Sequence, residues 1–311
     1  MKYSIFLPEA TGEFKNKMTR LVDLSLNRSA VSSSKPIPLW TSDFFNLSHS
    51  AYWLKLNEVE QRLLLEENSA ELLKEAICIE HAGIAYAQKM GLTAKTQEER
   101  HYYTAIALEE MQHLLLLKDF YHVDPSRHAT GFPRLISSII QDENRQEALV
   151  LIQIILEGWG ISYYADLLRG CENQDIKIVF ERILKDESRH HAGGIILYQN
   201  SPITEDASLL KSIQILVDFV RIGPQQVTVS LCRALNIFEW HEIAQVLNSI
   251  NALQTTNEKL IGLNKIISKV LTLEQTQRIN FNPFSLEKMA EVSHDFLNKS
   301  KIPVATKDID L

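Results

Sequence analysis

Twice along this chain a solitary glutamate is followed, thirty residues later, by the pattern Glu-x-x-His. The first set is Glu80 with Glu110-Met-Gln-His113, and the second is Glu157 with Glu187-Ser-Arg-His190. What constrains the fold is the background in which these polar residues are set. Read in steps of three and four, the spacing of the core-facing stripe of a helix, each falls in an apolar row. The rows are Leu73, Ile77, Glu80, Ile84, Ala87; Tyr103, Ile106, Glu110, His113, Leu117, Phe120; Val150, Ile154, Glu157, Ile161, Tyr164; and Phe180, Ile183, Glu187, His190, Gly194, Leu197. Four predicted helices therefore each aim a carboxylate at a core.

A carboxylate buried alone is costly and tends to take up a proton. Four of them in one core would repel. Two divalent cations remove the conflict by balancing four negative charges. Residues three apart share a helix face, so Glu-x-x-His aims an oxygen and a nitrogen at one point. Mixed carboxylate and imidazole donors suit redox iron or manganese better than structural zinc, which favours closed Cys/His sets. Four carboxylates and two imidazoles in this order match the ligand set of a two-metal site inside a four-helix bundle. The expected ligands are Glu80, Glu110, His113, Glu157, Glu187 and His190.

Neighbouring residues compete for these roles. Glu75 is a rival to Glu80, but five residues turn a helix by about 140°, and only Glu80 lies on the seam. Glu109 faces away from Glu110, toward either an outer-sphere partner or solvent. His81 and His191 sit beside ligands but off the seam. Gly158, Gly160, Gly193 and Gly194 flank ligands, giving room for substrate or O2, or close helix packing. Trp159, Tyr163 and Tyr164 line a pocket, supply an oxidisable tyrosine, or pack the core.

The 311 residues suffice for one large domain or a domain with an extension. With only 11 Gly and 9 Pro, long helices are favoured over turn-rich sheet. The net charge of −7 argues against a general nucleic-acid binder. Cys78, Cys171 and Cys232 lie far apart without a Cys-x-x-Cys, as expected of reduced thiols in a cytoplasmic protein. The apolar run near Met1 is too short for a signal peptide. No uninterrupted apolar run of about 18 residues suggests a membrane span.

Residues 1–50 are expected to form an irregular lead-in, with Ser32-Ser33-Ser34-Lys35-Pro36-Ile37-Pro38 as a loop signal. Trp40, Phe44, Phe45, Tyr52 and Trp53 should pin it to the bundle or serve ordinary packing. Residues 51–200 should carry the bundle, with helices near 69–90, 97–121, 144–168 and 174–198. Asn68-x-x-Glu71 reads as a capping box and Gly91 as a stop. Asp124-Pro125 and Gly131-Phe132-Pro133 read as one loop. Residues 201–311 should form a helical extension packing on the bundle, near 206–221, 224–235, 238–251, 256–270 and 285–298.

On Glu80, Glu110-x-x-His113, Glu157 and Lys185-Asp186-Glu187-Ser188-Arg189-His190, residues 70–200 resemble the ferritin-like di-iron carboxylate superfamily. The Asp-Glu-x-Arg-His run is similar to the fourth-helix motif of the p-aminobenzoate N-oxygenase group and of ribonucleotide reductase small-subunit relatives. The resemblance implies an all-α, ferritin-like four-helix bundle with a dimetal centre and additional C-terminal helices. It implies that Glu110 and Glu187 bridge the metals and are the catalytic residues. Glu80 and His113 would complete one metal, Glu157 and His190 the other. Asp186 would orient His113, and Arg189 would pair with an outer carboxylate or at the surface. The oxygenase group often adds a histidine one turn before the fourth-helix Glu. Ile183 stands there in this chain. His81-Ala82-Gly83 is faintly similar to the quinone hydroxylase branch, in which a Glu follows the Gly; here Ile84 follows.

The length beyond a minimal bundle, and the lack of a Cys-x-x-Cys module of the rubrerythrin kind, favour a di-iron oxygenase or oxidase. Its cofactors would be two iron ions (Mn/Fe as the alternative), with O2 as cosubstrate. It would hydroxylate, N-oxygenate or cleave a small or carrier-bound organic substrate, draw on an external electron donor, and form a monomer or homodimer. The alternatives are a metal-storage protein and a radical-generating one.

Overall fold

The computed structural model describes residues 5–26, 38–123, 131–200 and 207–299. Among them every regular element is helical and no strand occurs. In chain order the helices are α1 (Gly12–Ser25), α2 (Glu58–Leu92), α3 (Gln97–Lys118), α4 (Phe132–Gln141), α5 (Arg145–Gly170), α6 (Gln174–Asn200), α7 (Ala207–Arg221), α8 (Gln225–Ala234), α9 (Trp240–Ser249), α10 (Ala252–Ile267), α11 (Leu273–Gln277) and α12 (Leu286–Lys299). A single 3₁₀ turn, Trp53–Lys55, precedes α2.

Local sequence explains most of the helix starts. Thr96 caps α3 by accepting from the Glu99 amide, and Asn144 caps α5 through Glu147. Asn173 accepts from the amides of Asp175 and Ile176 at the start of α6. Each satisfies an amide that the first turn leaves without a partner. For α2 the capping box is Asn57/Glu60, not Asn68/Glu71. The Glu60 amide donates to Asn57 Oδ1 at 3.0 Å and the Asn57 amide to Glu60 Oε2 at 2.9 Å. Both sites carry Asn-x-x-Glu. The helix formers between them, Arg62-Leu63-Leu64-Leu65-Glu66-Glu67, let the first one start the helix. Asn68 then lies mid-helix, its amide donating to the Leu64 carbonyl and to Ser230 Oγ.

The chain divides into two compact units, Met1–Ile37 with Ala70–Thr204, and Pro38–Ser69 with Glu205–Leu311. These boundaries differ from the three-part division expected from sequence. The first unit contains α1, most of α2, and α3–α6. Its core is the four seams: Leu73, Ile77, Tyr103, Ile106, Leu117, Val150, Ile154, Phe180 and Ile183 are all buried. The lead-in is not irregular throughout, because Gly12–Ser25 is helical. Glu9, just before α1, pairs with Lys118 at 2.8 Å and Lys15 at 2.6 Å. Residues 132–141, expected as loop, form α4. Pro133 is tolerated in a first turn, where its missing amide is not needed, and Ile136, Ile139 and Ile140 are buried. The loop signals at 32–37 and Asp124-Pro125 lie outside the described residues.

The second unit contains residues 38–69 and α7–α12. Trp40 stacks on Phe44 with centroids 5.7 Å apart. Ser50 hydrogen-bonds Ser249 at 2.7 Å, and the Tyr52 hydroxyl donates to Gln245 at 2.9 Å. Of the two readings of this aromatic cluster, pinning to the bundle or ordinary packing, its grouping with the later helices fits the second. The cysteines Cys78, Cys171 and Cys232 are buried and free.

Helix α5 has two features that sequence does not signal. Leu149–Leu156 is wound as a π-helix, immediately before Glu157. Leu149 to Ile155 are buried on every side, Gln153 included. By length and apolarity alone α5 is long enough to cross a membrane. Its polar residues Gln153, Glu157 and Tyr164 are instead engaged inside the first unit.

Candidate metal centre

The first unit brings all six predicted ligands together. Donor atoms of Glu80, Glu110, His113 and Glu187 lie within 4.8 Å of one another, as do those of Glu157, Glu187 and His190. Glu187 belongs to both groups. Either group could hold a metal ion. Glu80 and His113 are fully buried, and Glu110, Glu187 and His190 are at most 5 % exposed. Glu157 is partly covered as a residue, yet its Oε2 is enclosed and has no hydrogen-bond partner. Glu75, His81 and His191 belong to neither group.

The two histidines are held alike. His113 faces Glu80 Oε2 through Nδ1 at 3.2 Å and Asp186 Oδ2 through Nε2 at 2.9 Å. His190 lies 3.1 Å from Glu110 Oε1 through Nδ1 and faces Glu109 Oε2 through Nε2 at 2.8 Å. The His190 Nδ1 contact is not aligned as a hydrogen bond. Each ring thus turns one nitrogen into the carboxylate cluster, while an outer carboxylate fixes the other. That is how metal-bound imidazoles are oriented and made more basic. Arg189 ties the two outer acids together, 2.6 Å from Glu109 and 2.7 Å from Asp186. Glu109 therefore holds His190 rather than facing solvent alone, and Arg189 pairs with Glu109 and Asp186.

The electrostatics without metal are those of a charge surplus. Burial pushes Glu110 and Glu157 well above the usual carboxylate range, and their acidic neighbours add to it. Burial likewise lifts Glu187 to about 8. Burial would raise Glu80 too, but hydrogen bonds from His113, Glu110 and Tyr164 and the charge of His113 outweigh it, and Glu80 falls below its ordinary value. Desolvation would lower His113, yet Glu80 and Asp186 carry it up to about 9. Protons thus occupy the place that cations would otherwise take.

Several contacts around the site were not legible in the sequence. The Tyr164 hydroxyl donates to Glu80 Oε1. Gln153, four residues before Glu157, has every hydrogen-bonding position filled. Its oxygen accepts from Tyr86 at 3.0 Å and Tyr103 at 2.9 Å. Its nitrogen donates to the Tyr102 hydroxyl at 2.8 Å and to the His190 carbonyl at 2.9 Å. Tyr102 donates to the same carbonyl at 2.9 Å. Two glycines leave room for this cluster. A Cβ on Gly193 would overlap the Tyr102 hydroxyl, and one on Gly194 would lie 2.9 Å from Gln153 Cγ. These glycines therefore serve close packing. Gly83 on α2 has a comparable part, since a Cβ there would overlap the Glu110 carboxylate. A polar residue within the apolar run Leu149–Leu156 was the available signal for Gln153. Of its three tyrosine partners only Tyr103 was marked, by its place in a core-facing row.

Comparison with known proteins leaves the site to be read from its own residues: no family model, no curated protein and no solved structure matches the chain.

Proposed function

We propose that this protein is an O2-dependent dimetal oxidoreductase built on a ferritin-like four-helix core, with two irons, or manganese and iron, at the buried cluster. The observation that carries the reading is the convergence of six donors from four helices, with each imidazole braced from behind by an outer carboxylate. A structural zinc site would use closed Cys/His donors. A purely structural charge cluster would not leave Glu157 Oε2 and His190 Nδ1 enclosed without hydrogen bonds.

In this reading Glu187, common to both donor groups, and Glu110, whose Oε1 lies 3.1 Å from His190 Nδ1, would be shared between the two positions. Glu80 and His113 complete one position, Glu157 and His190 the other. Asp186 and Glu109 keep each imidazole aimed inward, and Arg189 holds those two acids in place. The apolar seams exclude water. When bound, the two metals supply the electrons that reduce O2 and the oxidising power spent on an organic substrate.

The test is anaerobic Fe(II) loading, metal counting, and rapid mixing with O2 while the visible spectrum is recorded. About two irons per chain and a protein-dependent oxidation are expected. In Glu110→Ala or His190→Ala that oxidation should vanish; full reaction in either variant would refute the assignment. A radical-generating role is favoured by one observation, the Tyr164 hydroxyl on Glu80. A tyrosyl electron-paramagnetic signal after O2 exposure, absent from Tyr164→Phe, would select it over substrate oxidation.

A further inference from the structure

From the hydrogen bonding of Glu80 and Glu157 we infer that Tyr164 is a positioning residue that makes the two metal positions chemically unequal. This rests on the dimetal reading above. Glu80 Oε1 is taken by the Tyr164 hydroxyl, and Oε2 faces His113 Nδ1 at 3.2 Å. The hydroxyl bond takes up one lone pair of Oε1 and fixes the orientation of the carboxylate, with Oε2 turned to His113. Glu157 occupies the matching place in the second group, and its Oε2 accepts no hydrogen bond. No hydrogen bond fixes that oxygen. The carboxylate at the position of Glu80 and His113 is therefore fixed in orientation, whereas no hydroxyl fixes the one at the position of Glu157 and His190.

The tyrosine is built to hold this arrangement. It lies seven residues after Glu157 on the same helix, two turns along the same face. It is 1 % exposed, with its ring packed 6.0 Å from Phe180 and 5.4 Å from Tyr163. A ring fixed on two sides leaves the hydroxyl little choice of acceptor. No equivalent hydroxyl donor reaches Glu157 among the described residues.

Tyr164→Phe removes the hydroxyl and keeps the packing. The experiment is an anaerobic Co(II) titration of the full-length metal-free protein, read by the visible ligand-field bands. Wild type and Tyr164→Phe are compared with Tyr163→Phe, whose hydroxyl touches no ligand. Two resolvable dissociation constants are expected for wild type. In Tyr164→Phe one should weaken by about tenfold or more, the usual effect of losing an outer partner of a ligand. Its band should shift, while the other constant stays within about twofold and Tyr163→Phe matches wild type. Identical titrations of wild type and Tyr164→Phe would overturn the inference and leave the dimetal site standing. Equal weakening of both positions would overturn it too, by making the hydroxyl a general support of the core. Failure of wild type to bind Co(II) would remove the dimetal reading and the inference with it.

Discussion

Replacing Gln153 by leucine tests whether the polar cluster beside His190 is held by satisfied hydrogen bonds or by packing. The side chain is fully buried and uses all four of its hydrogen-bonding positions. Leucine is close in volume, so little cavity forms. What changes is that the Tyr86 and Tyr103 hydroxyls lose their acceptor. Each orphaned buried donor costs about 1–3 kcal/mol, so two cost about 2–6 kcal/mol. Exchanging an amide for apolar surface returns roughly 1–2 kcal/mol. The expected net loss therefore lies between about 0 and 5 kcal/mol, centred near 2–3 kcal/mol, against the roughly 5–15 kcal/mol of a typical domain. Urea unfolding of the metal-free protein, followed by far-ultraviolet circular dichroism, measures it. The decisive comparison is the triple variant Gln153→Leu with Tyr86→Phe and Tyr103→Phe. It contains no orphaned hydroxyl at these positions and should recover most of the loss, because removing both partners of a buried pair is close to neutral. A triple variant less stable than Gln153→Leu alone would refute the reasoning and make the tyrosine hydroxyls stabilising through other contacts.

Gly83→Ala should push the Glu110 carboxylate from its place, weakening metal binding by about tenfold or more and costing about 1–3 kcal/mol of stability through overpacking; isothermal titration and thermal unfolding read the two effects separately. Asp186→Asn should lower affinity at the His113 position by about 10–100-fold, and Glu109→Gln should do the same at the His190 position, with the untouched position reporting that the fold is intact. The metal-free protein should lose stability as pH rises from about 5 to 9. Glu187, at about 8 when folded against 4.5 in its ordinary state, takes up a proton on folding, and that advantage fades between those values. Glu110 and Glu157, also raised, act in the same direction. His113, raised from 6.5 to about 9, adds stability that is complete below 6.5 and lost as pH climbs through 9. Glu80 is the exception: its lowered value gives stability present above 4.5 and lost toward acid. Metal-loaded protein should show a much flatter profile across the same range, and a parallel decline in both forms would refute the charge-surplus account.

The ligand helices and the six donors were legible because both depend on short-range periodicity. A polar residue in an apolar row at helical spacing must face the core, and Glu-x-x-His needs only one helix turn to converge. The outer acid Asp186 was legible by resemblance to a known motif. For Glu109 and Arg189 the sequence left two roles open, since each depends on where a second helix puts its partner. Helices α1 and α4 were hidden by turn-forming residues at their starts, and the onset of α2 by a repeated Asn-x-x-Glu that local pattern cannot rank.

The sequence by itself thus determines an all-helical chain with four carboxylates and two imidazoles aimed inward. Only the tertiary structure decides which oxygen of Glu80 is committed to Tyr164, which glycine makes room for Glu110, and that Gln153 closes a ring of tyrosines over His190. These contacts join residues between 27 and 84 positions apart. Their partners are fixed by how helices pack, and no local propensity records that. The grouping of residues 38–69 with the later helices is of the same kind, since the segment's hydrogen-bonding partners lie more than 160 residues further along the chain.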